Sequence, residues 1–326
     1  QVNKIVANVA TAFDVQALSS VRVLGGVSLY NLILGVIIMA LVALITLGGL
    51  KRIASVAEKV VPFMIVLFIL GSLIIIGKNY TEIIPAFRTI FVNAFKPEAF
   101  VGGTLGAAIS AAVTQGFKRG VFSNEAGLGS SVMVHSSSDV KEPVRQGMWG
   151  IFEVFFDTMI VCTMTAIVVL SSGYIDLATG NPVVANLDDS TLVSRVFGDN
   201  FGVAGEWFVA IAMLLFAFTT VLGWSQYGSK AVEYLFGTKG VKVYKVIFVL
   251  MIVSGAIMTS SLAWDISDTF NGFMMVPNLI GVVAMCPLVV KITKNYLDRK
   301  LKKKDVAPIL SFDPETQKEM EKDLEK

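Results

Sequence analysis

The sequence has 326 residues, 54% of them hydrophobic and only 16% charged, with a mean hydropathy of +0.70. Soluble domains carry about 25% charged residues, so this composition excludes an ordinary soluble protein. A net charge of +2 offers no basic surface to nucleic acid, and one histidine, His135, leaves little for zinc chemistry or histidine-based general-base catalysis. Cys162 and Cys286 both lie in apolar segments and read as buried free thiols.

Taken in order, residues 1–18 form a half-apolar, helix-like run without an initiator methionine. They read as the second half of a helix whose start is missing. Seven apolar segments then approach the roughly 20 residues a membrane span needs: 30–48, 56–77, 101–115, 148–170, 207–224, 241–263 and 273–292. The fold class they predict is an all-α polytopic membrane protein. Residues 78–100, amphipathic through Ile83, Ile84, Phe87, Ile90 and Phe91, read as an interfacial helix on the outer side. Residues 171–206 read as an acidic outer connection, with Arg195 against Asp176, Asp188, Asp189, Asp199 and Glu206, and residues 265–268 as a short outer loop. The cations gather in alternate connections: Lys51, Arg52 and Lys59; Lys118, Arg119, Lys141 and Arg145; Lys230, Lys239, Lys242 and Lys245; and Lys291 onward. Cations favour the cytoplasmic side, which puts the C-terminus inside and residues 296–326 in a polar cytoplasmic tail. The basic run 299–304 fits either a stop-transfer flank or a contact with anionic headgroups.

Residues 101–130 are the most unusual stretch. Seven glycines, at 102, 103, 106, 116, 120, 127 and 129, fall in thirty residues, and the apolar run ends at Gln115. Glycine lowers helix propensity and lets backbones approach closely. A span interrupted in this way is either a discontinuous helix, whose freed backbone groups can bind ligand and ions, or a short span followed by a basic loop. Polar groups at membrane depth occur elsewhere too. Thr219 and Thr220 lie close to Trp224, and Thr220 and Trp224, four apart, share a helix face. The hydroxyls can ligate an ion or simply bond their own helix carbonyls. Asp157 sits ten residues into its span, about 15 Å deep, with Glu153 one turn away. A carboxylate there needs a partner; an ion pair or hydrogen bond with the 101–130 segment, Arg119 being the named candidate, is the first reading and an ion ligand the second. Gln1, whose amide donates and accepts, is a further candidate. His135 and the serines after it read as a solvated inner connection.

GFKRGVFSNEAGLGSS (116–131), TVLGWSQYG (220–228) and WDISDTFNG with PNLIG (264–281) resemble segments of the alanine/glycine–cation symporter family, over nearly the whole of residues 1–294. The resemblance implies a leucine-transporter-type inverted-repeat bundle. On that map residues 1–77 are the end of the first repeat (core helices three in part, four and five). Residues 78–100 are the outer interfacial segment, and 101–295 are a complete second repeat, with core helix six broken near 115–120. It further implies sodium-coupled symport of alanine or glycine across the plasma membrane. Gln1, Gln115, Gly116 and Phe117 would surround the substrate, Trp224 would close the pocket, and Thr219 and Thr220 would give oxygens to sodium. Arg119, Ser123, Asn124, Glu125 and Asp157 would serve structure and coupling. The family's glycine-rich first broken helix is not in this sequence, nor is core helix two. No organic cofactor is expected; the partners are a small neutral amino acid, sodium and the lipid bilayer.

Two other classes remain in view. An intramembrane enzyme built on Asp157 and Glu153 lacks a second acid at depth on another span, so the chain is not expected to be an enzyme. A transport-dead membrane scaffold follows if the missing helices are truly lost.

Overall fold

The computed structural model describes every residue except 14–19, 24–25, 49, 95–104, 126, 178–182, 185–190 and 326. It also leaves undescribed the side chains of residues 50–52, 93–94, 105–113, 323 and 325. The backbone is helical almost throughout: α1 (Val2–Phe13), a two-residue hairpin β1 (Arg22–Val23) and β2 (Val27–Ser28), α2 (Leu29–Thr46), α3 (Leu50–Lys78), α4 (Tyr80–Ala94) and α5 (Leu105–Asn124). A short α6 (Val132–His135) precedes α7 (Pro143–Phe155). A π-helical segment (Phe156–Cys162) joins α7 to α8 (Thr163–Leu170), and α9 (Leu192–Phe201), α10 (Val203–Ile257), α11 (Ser260–Lys300) and α12 (Pro314–Glu325) complete the chain. Long apolar helices are what lipid demands, because a helix satisfies its own backbone hydrogen bonds. Five of the described helices are long and apolar enough to cross a membrane: Leu29–Thr46, Ile53–Lys78, Pro143–Leu170, Val203–Ile257 and Ser260–Lys300. The protein is an all-α multi-pass membrane protein.

Helix α10 runs 55 residues, about 80 Å as one helix, more than twice a hydrocarbon core. Gly237, at φ 70 and ψ −177, interrupts it, in a region of backbone space open to glycine alone. Two spans result, one on each side, as the separate segments 207–224 and 241–263 predict. The next boundary differs from expectation. The chain leaves the helix at Met258 and re-enters it at Ser260, so residues 265–268 are helical and not a loop. The acidic connection 171–206 likewise contains a helix, α9, hidden in sequence by its charged neighbours.

Helix and loop segments group into two compact units, Gln1–Gln115 with Val161–Ile266, and Gly116–Ile160 with Ser267–Lys326. The first has two apolar cores. In one, α1 packs on α2 and α10 through Ile5, Val6, Tyr30, Ile38, Val42, Leu222, Ile252 and Ala256. Gly35 permits that approach: a Cβ there would lie 2.7 Å from the Ala256 Cβ. Small residues at crossings of this kind let helices pack closely in lipid. Trp207 ties α1 in place by donating its indole N–H to the Ala12 carbonyl at 3.0 Å. In the other core Phe197, fully buried, stacks between Phe68 and Phe208 with ring centroids at 6.0 and 5.6 Å. Outside the cores α2 shows an exposed stripe of Ile33, Ile37, Leu41 and Leu44, the face a helix gives to lipid. Ile84 and Phe91 are similarly exposed on α4, keeping its apolar face outward.

The second unit holds the C-terminal half of α5, the connection to α7, most of α11 and the tail. Its most buried charge pair is Glu142 with Arg299, bidentate at 2.9 and 2.8 Å. Lys300 stands 3.7 Å from the same carboxylate, and Lys302 and Lys304 both pair with Asp298, at 3.0 and 3.3 Å. Four of the five cations of the basic run 299–304 thus lie within 4 Å of one of two acids, Glu142 and Asp298, and the run stays net positive. Cys162 and Cys286 are free but exposed, not buried as expected. An apolar neighbourhood in sequence means burial in a soluble protein and only lipid contact on a span's outer face.

Candidate functional site

The predicted site residues fall in both units, and each set is described within its own. In the first unit Thr219, Thr220 and Trp224 lie on α10. The Thr219 hydroxyl donates to the Leu215 and Phe216 carbonyls, both at 3.0 Å, and Thr220 donates to Phe216 at 2.9 Å. Back-bonding of this kind uses the hydroxyl proton and leaves both oxygen lone pairs available as acceptors. Trp224 follows one turn on, half-buried, with Tyr227 edge-on at 5.5 Å. Below it Ser225, Gln226 and Ser229 are buried; Ser225 bonds the Leu222 carbonyl at 2.8 Å and Ser229 the Ser225 carbonyl at 2.7 Å. Polar side chains thus recur along this apolar span, interleaved with the buried Val221 and Leu222. Gln1 is exposed at the start of α1, and Gln115 is exposed on α5.

In the second unit the expected break is displaced. Helix α5 runs unbroken from Leu105 to Asn124, through Gln115, Gly116, Phe117 and Gly120, so the predicted discontinuity near 115–120 is absent. Helical glycine costs about 1 kcal/mol relative to alanine, which a long apolar helix tolerates. The left-handed backbone that commonly ends a helix comes later, at Glu125 (φ 51), Gly127 (φ 83) and Gly129 (φ 77). Gly116 is helical, with nothing within 4 Å of a Cβ built on it, and Phe117 is 66% exposed.

The SNEAGLGS segment is a clamp at the end of α5. Ser123 donates to Asp157 at 2.6 Å, and Thr158 donates to Asn124 at 2.5 Å, so two consecutive residues of α5 fasten to two of the π-helical segment. Widened turns of this type recur at functional sites; here the turn presents Asp157 and Thr158 together. Glu125, in its left-handed conformation, accepts from the buried Ser130 hydroxyl at 2.6 Å. Gly127 gives its carbonyl to Asn278 Nδ2 at 2.9 Å, and a Cβ on Gly129 would lie 2.5 Å from Asn278 Oδ1. The glycines therefore serve both backbone conformation and the close approach of α11.

Asp157 bonds the 101–130 segment as expected, through Ser123 and not through Arg119. The Arg119 guanidinium reaches both oxygens of Asp268, at 3.0 and 2.7 Å, and Lys118 stands 3.4 Å from the same carboxylate. The sequence reading placed residues 265–268 in an outer loop and so removed the nearest acid from consideration. Asp268 and Asn278 were missed as partners, although both lie in the WDISDTFNG and PNLIG segments that carried the resemblance. Glu153 pairs instead with His135 Nε2 at 3.3 Å, while Gln146 bonds His135 Nδ1 at 2.5 Å. The histidine connection is thus held to α7 and not simply solvated. Beside it lies a cavity of 1640 Å³ whose walls include Asn124, Glu125, His135, Lys141, Thr158 and Asn278. Among the described residues no three of His, Cys, Asp and Glu gather as a metal site.

The profile of the sodium:alanine symporter family matches residues 1–309. The chain belongs to that family. An uncharacterized transporter of Haemophilus influenzae is 39% identical over 215 residues, 66% of this chain and 46% of the relative. The sodium/alanine symporter AgcS of Methanococcus maripaludis is 41% identical over 211 residues, 65% of this chain and 45% of its own. The probable sodium/glutamine symporter GlnT of Bacillus subtilis is 34% identical over 217 residues, 66% of this chain and 43% of its own. The chain matches under half the length of these sodium:alanine symporter relatives.

Proposed function

We propose that this chain is part of a secondary transporter that couples sodium entry to uptake of a small neutral amino acid, alanine or glycine. It sits in the plasma membrane with its C-terminus cytoplasmic, and its bundle is of the leucine-transporter type, with the second repeat in residues 101–295. The observation that carries the reading is the threonine pair inside the apolar α10. Thr219 and Thr220 each commit the hydroxyl proton to a helix carbonyl and keep oxygen lone pairs for a hard cation, with Trp224 one turn away. Neutral oxygens bind sodium without burying net negative charge. Gln1, Gln115 and Phe117 would supply the substrate's surroundings. Gly116, being helical, would contribute open space beside the helix and no freed backbone groups. Walls of tryptophan and phenylalanine select small side chains by exclusion, with about 1–3 kcal/mol per methylene. Membership of a transporter family supports transport over catalysis. Asp157 and Glu153 have separate partners, Ser123 and His135.

The test is alanine uptake by the full-length protein in proteoliposomes with an inward sodium gradient. Thr220→Ala should raise the half-saturating sodium concentration about tenfold, the size of one lost bond to a charged group, while thermal unfolding stays unchanged. Wild-type uptake indifferent to replacing sodium by choline overturns the reading; an unchanged sodium dependence in the variant removes Thr220 from the ion site.

A further inference from the structure

The segment after α11 is not a loose polar tail. It turns back along the end of α11, where Asn295 fastens it, and Gln317 of α12 braces it from within the tail. Asn295 donates to the Ala307 carbonyl at 2.8 Å and accepts the Ile309 amide at 3.0 Å. Gln317 accepts the amides of Leu310 and Ser311 at 2.7 and 2.9 Å and donates to the Pro308 carbonyl at 2.7 Å. Leu310 between them is only 3% exposed. From α12, Met320 forms part of the cavity wall together with His135, Lys141 and Gln146.

The contact of α12 itself is light. Gln317, Met320, Glu321 and Leu324 are its half-buried positions, and their i, i+3, i+4, i+7 spacing is one helix face. Of the four only Met320 and Leu324 are apolar. A helix of 12 residues with so polar a sequence is marginal on its own, so it persists by docking. Met320 is a flexible, adaptable side chain and is only partly covered. Half-burying one such side chain shifts a docked-to-free ratio by roughly tenfold, strong enough to favour the docked form and weak enough to reverse. The Asn295 anchor stays while α12, with Gln317, can leave.

We propose that Pro314–Glu325 is a reversible plug: Met320 on its half-buried face closes the cavity of the second unit and slows transport until the helix lifts away. The slowing of transport rests on the symport reading; the closing of the cavity does not, and the experiment reads the two separately. The full-length protein is prepared with Cys162→Ser, Cys286→Ser and Ser131→Cys, which places one thiol in the cavity wall. Labelling by a membrane-impermeant maleimide applied from the tail's side is timed in this background, with Met320→Glu, and with the chain ended after Ser311, which retains the Asn295 anchor. Both changes should speed labelling about tenfold, the docking factor given above, and raise the initial rate of alanine uptake severalfold. Labelling that is unchanged in both variants overturns the plug. Faster labelling with unchanged uptake overturns the inhibitory role while leaving the symport reading intact. Absence of sodium-driven uptake in every form refutes the symport reading, and with it the inhibitory role, and the labelling rates still decide whether α12 closes the cavity.

Discussion

Glu142 and Arg299 form the pair on which the second unit most depends, and their removal is the sharpest perturbation available. The carboxylate side chain is 4% exposed and the guanidinium 12%, joined by two bonds at 2.9 and 2.8 Å. Breaking a buried pair by removing one partner costs about 3–5 kcal/mol, mostly from the charge left without compensation. Two features place Glu142→Ala near the lower end. Arg299 keeps a bond from Nε to Asn295 Oδ1 at 2.9 Å, and the second cation, Lys300, is 53% exposed and so screened by solvent. About 3 kcal/mol is therefore expected for Glu142→Ala, and about 1–2 kcal/mol for Glu142→Gln, whose amide retains hydrogen bonding. Adding Arg299→Gln to Glu142→Gln makes both partners neutral and should return at least 1 kcal/mol relative to the sum of the single losses. The assay is thermal unfolding of the two single variants and the double variant in one detergent, read as a double-mutant cycle. Losses additive within about 0.5 kcal/mol, the behaviour of independent sites, would refute the reasoning.

Gly129→Ala combines left-handed strain of about 1–2 kcal/mol with a Cβ 2.5 Å from Asn278 Oδ1; Asn278→Ala should relieve the second part only, as thermal unfolding of the pair would show. Asp157→Asn and Arg119→Gln should be additive in stability. Arg119→Gln with Asp268→Asn, and Asp157→Asn with Ser123→Ala, should each couple by about 0.5–2 kcal/mol; the reverse pattern would restore the Arg119–Asp157 pair. At the start of α12 the backbone N–H of Thr316, and after it the Thr316 hydroxyl, hold the Asp313 carboxyl below its ordinary 3.8. A depressed folded value means this cap's contribution is complete above the ordinary carboxylate range and fades as pH falls through the lower folded value. Protection of the 314–325 amides, taken as exchange relative to the intrinsic rate at each pH, should therefore weaken below about pH 4, and Asp313→Asn should lessen that dependence.

The sequence by itself determined the class of this protein. A bilayer imposes a length and an apolarity that can be read residue by residue, so the helices Leu29–Thr46 and Ile53–Lys78 fall almost where hydropathy puts them. The same local reading found the threonines of α10, since a polar side chain in an apolar run is visible without knowing its neighbours. It found the SNEAGLGS segment from glycine density but put the turn ten residues early. Glycine frequency does not say which glycine adopts a left-handed backbone, and Gly116 remains helical while Gly127 and Gly129 do not. Only the tertiary structure decided the partners. Arg119 takes Asp268 over Asp157, Asn278 seats against Gly127, and Glu142 takes Arg299, across 149, 151 and 157 residues of chain. Such pairings depend on which helix faces meet, and facing is set by packing between segments far apart in sequence. The tail is the plainest case: its composition reads as solvated, yet side-chain amides at Asn295 and Gln317, silent in any hydropathy profile, satisfy its backbone and bring it back onto the protein.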